Sequence, residues 1–346
     1  MEWKGEQKPT TWNSKMKILV TGGRGFLGKS IASKLLEMGY QVSSASRQVS
    51  KIKDDRSGVR HYSIDLTKEI KKTELLRDVE TVFHVAAKAG VDGKYSDYYR
   101  ANYIATKNIL SACKISGVKN FIYTSSPSVV FNGEPIKNGK ESLPYVDNTI
   151  SPYSHTKALA EKEVLQSNCN LNFRTVSLRP HLIWGQGDPH LLPKVIARHK
   201  TGDLKIVGDG KNNVDLTHID NVVHAHILAM EALFNNTAVG GNAYFITQNE
   251  PVPLWSWLNQ IFEELGLPPL NKKVSFKKAY FAGSVAEKIW KTFNLPSELP
   301  MSRFVACQLS HDHWFSSHKA QRDFGYNPVL SMKVALEKTL PWLKSI

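Results

Sequence analysis

The chain has only three cysteines, Cys113, Cys169 and Cys307, at spacings that suit neither a disulfide framework nor a thiolate metal site. Reduced thiols in a cytoplasmic, reducing compartment are therefore expected. His224-Ala-His226 and His311-Asp-His313 have no further ligands at metal spacing, so no metal is expected. No run reaches the ~18–20 apolar residues that a membrane-spanning helix needs. Residues 1–15 are polar and turn-rich, lack the apolar stretch of a signal peptide, and read as a loose tail. Internal repeats and low-complexity segments are missing. Acidic residues are in deficit, 31 against 45 basic ones, for a net charge of +14. The basic residues are scattered and no nucleic-acid motif accompanies them. The charge therefore reads as a basic surface, or as attraction to anionic substrates or lipid headgroups.

What is present is enough apolar material, 41% over 346 residues, for more than one average domain. To about Leu178, apolar runs of strand length alternate with helical patterns, which implies βαβ units and a parallel sheet.

Lys17-Ile-Leu-Val20 reads as a buried strand and Lys29–Met38 as a helix, with Ile31, Leu35 and Leu36 at helical spacing. Between them lies TGGRGFLG, residues 21–28. Gly22 permits a tight turn, Gly25 lets a pyrophosphate approach the backbone, and Gly28 allows close packing. The helix N-terminus adds free N–H groups for the phosphates. A dinucleotide is the expected ligand.

The second strand, Gln41–Ser46, ends without the acid that usually accepts hydrogen bonds from the adenosine ribose of NAD. Ser46 is followed instead by Arg47, and Arg24 stands inside the glycine loop. Two guanidinium groups suit a 2′-phosphate, so NADP(H) is favoured, with NAD(H) the alternative. Asp65, after a third strand, is a candidate for the adenine amino group.

Tyr153-Ser-His-Thr-Lys157 opens a helix expected over Ser154–Leu165, with Ser151-Pro152 as its start signal. Tyrosine and lysine at i and i+4 share one face, and a neighbouring ammonium is expected to lower the phenol's pKa. Tyr153 is then a proton donor to a forming alkoxide, or a base toward an alcohol. Ser126 closes the strand-like run Phe121–Ser126 and suits a hydrogen bond to the reacting oxygen. Tyr103/Lys107 repeats the spacing without a hydroxyl ahead of it and reads as helix packing.

With these residues the chain resembles the extended short-chain dehydrogenases/reductases from Met16 to about Leu340. Further matching features are Phe83-His-Val-Ala-Ala87, Asn102, Leu178–Gly185 and Val214–Asn221. Within that group it is similar to the 3β-hydroxysteroid dehydrogenase branch. The resemblance implies a Rossmann-type doubly wound α/β fold with a smaller C-terminal substrate lobe. The nucleotide domain would span 16–180 plus about 214–247, and the lobe about 181–213 and 248–346. It implies Tyr153 as acid/base, Lys157 on the nicotinamide ribose and Ser126 on the substrate oxygen. It also places Phe26, Leu27, Leu66, Ala86 and Pro180 along the cofactor. The implied reaction interconverts 3-oxo and 3-hydroxy groups on a large apolar substrate. Reduction of a 2-alkyl-3-oxoalkanoate is favoured over oxidation of a sterol-4α-carboxylate. A nucleotide sugar is disfavoured, because Pro127-Ser128 stands where sugar dehydratases carry Asp-Glu. The tyrosine–lysine pair argues against a non-catalytic cofactor sensor. A homodimer and peripheral membrane contact are compatible partners.

A 3-oxo acid brings a carboxylate that needs a partner once buried. Lys88, His181 and Arg303 are the candidates. In Val274–Phe293, the residues Phe281, Val285, Ile289 and Phe293 recur every fourth position beside lysines. Packing against the protein body is the favoured reading of this stripe, with membrane contact the alternative.

Overall fold

The computed structural model describes residues 16–47, 58–71, 74–90, 93–147, 151–169, 171–293, 299 and 301–346. The expected tail, residues 1–15, lies outside them.

Seven strands build the central sheet: β1 (Lys17–Thr21), β2 (Gln41–Ser46), β3 (Arg60–Ser63), β4 (Val79–His84), β5 (Asn120–Thr124), β6 (Arg174–Pro180) and β7 (Asn242–Ile246). Their order is β7-β6-β5-β4-β1-β2-β3, and every neighbouring pair is parallel. Because side chains alternate along a strand, β1 sends Ile18 and Val20 to one face and Leu19 to the other. On the first face lie α1 (Phe26–Glu37) and α4 (Ile219–Asn235); on the second lie α2 (Ala105–Ser116) and α3 (Pro152–Gln166). Burial on both faces suits the mostly apolar β1 and β5, whereas β3 at the sheet edge has no buried residue. The sheet is of the Rossmann kind, and the chain reverses direction across it between β1 and β4. Open α/β sheets bind ligands at that switch point, beyond the strands' C-terminal ends.

A second core gathers Trp184, Trp255, Trp257, Ile261, Phe262, Ala306 and Leu336 in a smaller lobe. Beside it a four-stranded sheet runs in the order 252–253, 213–214, 313–315, 136–139. Residues 136–139 thus leave the neighbourhood of β5 to pair with a C-terminal strand. Conversely, Ala320 and Tyr326 pack into the core beside α1 and α4.

The lobe also carries α5 (Phe276–Phe293), packed on α6 (Arg303–Ser310). Only Ala279 and Gly283 of α5 are buried. A Cβ on Gly283 would come within 2.7 Å of the Ser302 backbone, so the helices meet through small residues. The apolar stripe faces the other way: Phe281 is 71% exposed, Val285 40%, Ile289 41% and Phe293 70%. This corrects the expectation that the stripe packs against the body. Periodicity shows that a stripe exists, but the small residues on the opposite side decide which face is buried. Among the described residues no helix is long and apolar enough to cross a membrane.

Candidate active site

The glycine loop leaves β1 at Gly22, whose φ of 70° lies in the left-handed region and whose Cβ would meet the Ala86 backbone at 2.9 Å. At Gly28 a Cβ would stand 2.3 Å from the Gly22 carbonyl oxygen, so no side chain fits. Gly23, which the sequence reading passed over, is also tight, its Cβ falling 2.5 Å from the Ser44 side chain on β2. Helix α1 begins at Phe26, three residues earlier than expected, and Gly25 caps it without a side-chain bond. Its first-turn N–H groups, which no helix can satisfy internally, thus stand at the loop. This cradle fits a dinucleotide pyrophosphate.

A cavity of about 1200 Å³ runs from this loop to the lobe. Gly22, Arg24, Gly25, Phe26, Leu27, Gly28, Arg47, Asp65, Leu66, Ala86 and Pro180 all line it, together with Ser126, Tyr153 and Lys157. Arg24 and Arg47 are exposed at the loop end. Asp65 Oδ1 accepts hydrogen bonds from Thr67 N at 3.0 Å and Thr67 Oγ1 at 2.8 Å, which hold its carboxyl below the usual range.

Helix α3 starts with Ser151 as its cap, Ser151 Oγ accepting from Ser154 N, and Pro152 follows in the first turn. This presents Tyr153, Lys157 and Glu161 on one face. Lys157 is 2% exposed; its ammonium donates to the Thr124 carbonyl at 2.6 Å and sits 4.1 Å from the centre of the Tyr123 ring. Burial pulls its pKa down to about 7, against the attraction of Glu161. Burial also pushes the Tyr153 phenol up, opposed by a hydrogen bond with Ser126. The expected lowering of Tyr153 by Lys157 is therefore corrected: desolvation prevails, and the group holding the phenol's pKa back is Ser126. Ser126 in turn accepts from Ser128 N at 3.2 Å, capping a short 3-10 turn that fixes its backbone.

The exit of β4 is held by a bonded chain that sequence reasoning missed. Thr21 Oγ1 accepts from Ala86 N at 3.2 Å and lies 2.7 Å from His84 Nδ1; His84 Nε2 lies 2.9 Å from Thr106 Oγ1. Asn102 Oδ1 accepts from Lys88 N at 2.7 Å, and Asn102 Nδ2 donates to Lys88 O at 3.2 Å. Burial drives His84 down to about 3, so it serves as a neutral strut between β1 and α2. These bonds join residues up to 65 positions apart, with no local pattern to announce them.

Of the carboxylate candidates, Lys88 and His181 line the cavity and Arg303 does not. The Lys88 ammonium pairs with Asp97 at 3.4 Å and stands over the Tyr98 ring at 5.1 Å. Arg303 ties α6 to α5 through Glu287, Nε to Oε2 at 2.7 Å. His181 is 5% exposed, and burial together with His313 drives its pKa well below the ordinary value. Phe304 and Gln308 of α6 also face the cavity. Tyr103 bonds Glu163 of α3 at 3.3 Å and is absent from the cavity lining, as its packing role predicts.

Residues 19–278 match the model of the 3-beta hydroxysteroid dehydrogenase/isomerase family. A 2-alkyl-3-oxoalkanoate reductase of Stenotrophomonas maltophilia is 42% identical, over 93% of this chain and 98% of its own. A mouse (Mus musculus) sterol-4-alpha-carboxylate 3-dehydrogenase, decarboxylating, is 37% identical over 94% and 90%. Among solved structures, the UDP-glucuronic acid 4-epimerase of Bacillus cereus in complex with NAD superposes with a TM-score of 0.72 at 23% identity, covering 95% of this chain and 99% of that one. That likeness shows the shared fold alone.

Proposed function

Because this chain belongs to the 3-beta hydroxysteroid dehydrogenase/isomerase family and is an oxidoreductase acting on CH–OH and C=O groups, we infer that it reduces a 2-alkyl-3-oxo acid with NADPH. The observation that carries the reading is Ser126, Tyr153 and Lys157 lining one large cavity together with the glycine cradle. The 42% relative supports the substrate class.

Bound cofactor supplies the hydride. Tyr153 delivers a proton from its phenol to the oxygen that becomes the alkoxide, while Ser126 hydrogen-bonds that oxygen. The raised pKa of Tyr153 keeps the phenol protonated at neutral pH, as a donor in the reducing direction requires. Lys157, held beside Thr124 and the Tyr123 ring, would serve the nicotinamide ribose. Arg24 and Arg47, exposed at the cavity's loop end, would hold an adenosine 2′-phosphate, which supports NADPH over NADH.

An apolar substrate fits a protein that touches lipid. The outer face of α5 supports peripheral contact, carrying Phe281 and Phe293 beside the exposed Lys277, Lys278, Lys288 and Lys291.

The test is cofactor oxidation by purified protein against 2-alkyl-3-oxo acids, sterol ketones and nucleotide sugars. NADPH oxidation with the 3-oxo acids is expected. Turnover confined to a sterol carboxylate with NAD would replace the substrate reading, and turnover of a nucleotide sugar would overturn it.

A further inference from the structure

His181 sits at the end of a hydrogen-bonded pair whose proton positions are fixed from one side. His313 Nε2 lies 2.7 Å from the backbone carbonyl of Gln308, in the last turn of α6, where carbonyls lack helical partners. A carbonyl only accepts, so His313 Nε2 carries the hydrogen. In the neutral ring Nδ1 is then an acceptor, and it lies 3.2 Å from His181 Nε2. His181 must donate there, which leaves its Nδ1 as a bare lone pair. That nitrogen is buried and has no partner among the described residues. The ring is further fixed edge-on against Phe315, centroids 5.2 Å apart at 89°, and its backbone N–H is held by Ile246 O at 3.2 Å.

This arrangement leaves one unsatisfied ring nitrogen on a residue lining the cavity that also holds Ser126 and Tyr153; Nδ1 itself is shut off from solvent in the unliganded chain, so the wall over it must give way for a ligand to reach it. A proton added at Nδ1 disturbs neither bond of the pair, because His181 Nε2 keeps donating to His313. We propose that His181 binds the carboxylate of the 3-oxo acid, taking up one proton at Nδ1 as the acid enters, with His313 as its positioning residue. This rests on the 3-oxo acid reading. The result is an imidazolium–carboxylate pair that exists only in the loaded site, so the anion is recognised by a ring that stays neutral until the acid enters.

The titratable groups around His181 are consistent with a neutral resting ring. His313 approaches from the lobe, and Asp215 stands behind it, Asp215 N bonding to His313 O at 3.4 Å. Tyr153 and Lys157 of α3 share the cavity, as do Asp188 and His190. Asp188 is spent on the backbone N–H groups of His190, Leu191 and Leu192. Lys88, the other cavity cation considered for the carboxylate, is paired with Asp97.

The test counts protons. Full-length protein saturated with NADPH is titrated by calorimetry with a medium-chain 2-alkyl-3-hydroxy acid, a dead-end pair that cannot react, and with its methyl ester. Each titration is run at pH 7.5 in phosphate and in Tris, whose ionisation heats differ. Uptake near one proton is expected for the acid and near zero for the ester. His181→Asn abolishes the uptake and weakens the acid by about tenfold or more, sparing the ester. His313→Phe gives the same selective loss, and His313→Asn, which restores an acceptor, recovers part of it. Acid binding by the wild-type protein without uptake overturns the proposal, whatever the variants do. So does an acid-specific loss in Lys88→Met with none in His181→Asn. Failure of the substrate reading looks different: neither acid nor ester binds, and 3-oxo acids do not oxidise NADPH.

Discussion

Arg179 Nη2 lies 2.5 Å from Glu161 Oε1, with the two side chains 1% and 0% exposed. Burial opposes charge on both, yet each holds the other ionised. Ser177 Oγ donates to Glu161 Oε2 at 2.7 Å, and Tyr145 donates to Oε1 at 2.8 Å. The pair bolts α3, bearing Tyr153 and Lys157, to the end of β6, where Pro180 and His181 follow. Removing one partner strands a charge in the core. Arg179→Met should therefore cost about 3–5 kcal/mol in urea unfolding, and Glu161→Leu/Arg179→Met should recover much of it. A double variant no better than the single one would contradict the pairing.

Tyr153→Phe keeps the ring and removes the proton, so turnover should fall about a hundredfold or more while cofactor affinity changes little. Tyr103→Phe should leave turnover near normal, since Tyr103 bonds Glu163 and packs on Tyr99 away from the cavity lining. Lys157→Ala should impair both cofactor binding and turnover. Steady-state kinetics with cofactor titrations separate these outcomes; a Tyr153→Phe protein with normal turnover would refute the assignment.

Arg47→Asp removes a phosphate partner and supplies a ribose acceptor. The ratio of NADPH to NADH affinity should fall, and fluorescence titration measures it directly. Wild-type protein that binds NADH more tightly than NADPH would dismiss the phosphate role of Arg24 and Arg47.

Asp215 is fully buried; its Oδ2 accepts from Phe315 N at 2.7 Å and its Oδ1 has no partner among the described residues. Burial raises its pKa from 3.8 to about 7. Between these values the folded chain keeps a proton that the unfolded chain has released, so the stability due to this group falls as pH rises from about 4 to 7. The slope approaches about 1.4 kcal/mol per pH unit at most. In urea melts at pH 5 and pH 8, Asp215→Asn should show less loss on the alkaline side than wild type. Equal losses would place the buried proton elsewhere.

The α5 stripe predicts flotation with vesicles of mixed neutral and anionic phospholipid. Phe281→Ser/Phe293→Ser should reduce it, and high salt should weaken what the lysines contribute. Equal recovery of wild-type and variant protein in the lipid fraction would exclude this face.

Local features were legible from sequence. The strand, the glycine turn and the helix from Lys17 to Glu37 are contiguous, so spacing alone reveals them; so does Ser151-Pro152 before α3. The sign of the Tyr153 shift was not legible, because it depends on how deeply the phenol is buried, which no i, i+4 spacing encodes. The direction of the α5 stripe depended on Ala279 and Gly283 meeting α6. The His181–His313 pair joins residues 132 positions apart and exists only once the lobe closes on β6.

Ile136–Gly139 adds its edge to His313–Phe315. The two halves of the molecule therefore cannot be inherited or exchanged as simple consecutive blocks. A lobe transplanted from a relative at a junction near residue 247 would have to pair its 313–315 strand with the host's 136–139, and a mismatch of side chains or register there would leave that edge poorly paired and open to other chains. New substrate ranges in this architecture should arise by side-chain replacement within the cavity, or by grafts that carry the 136–139 segment along with the C-terminal third.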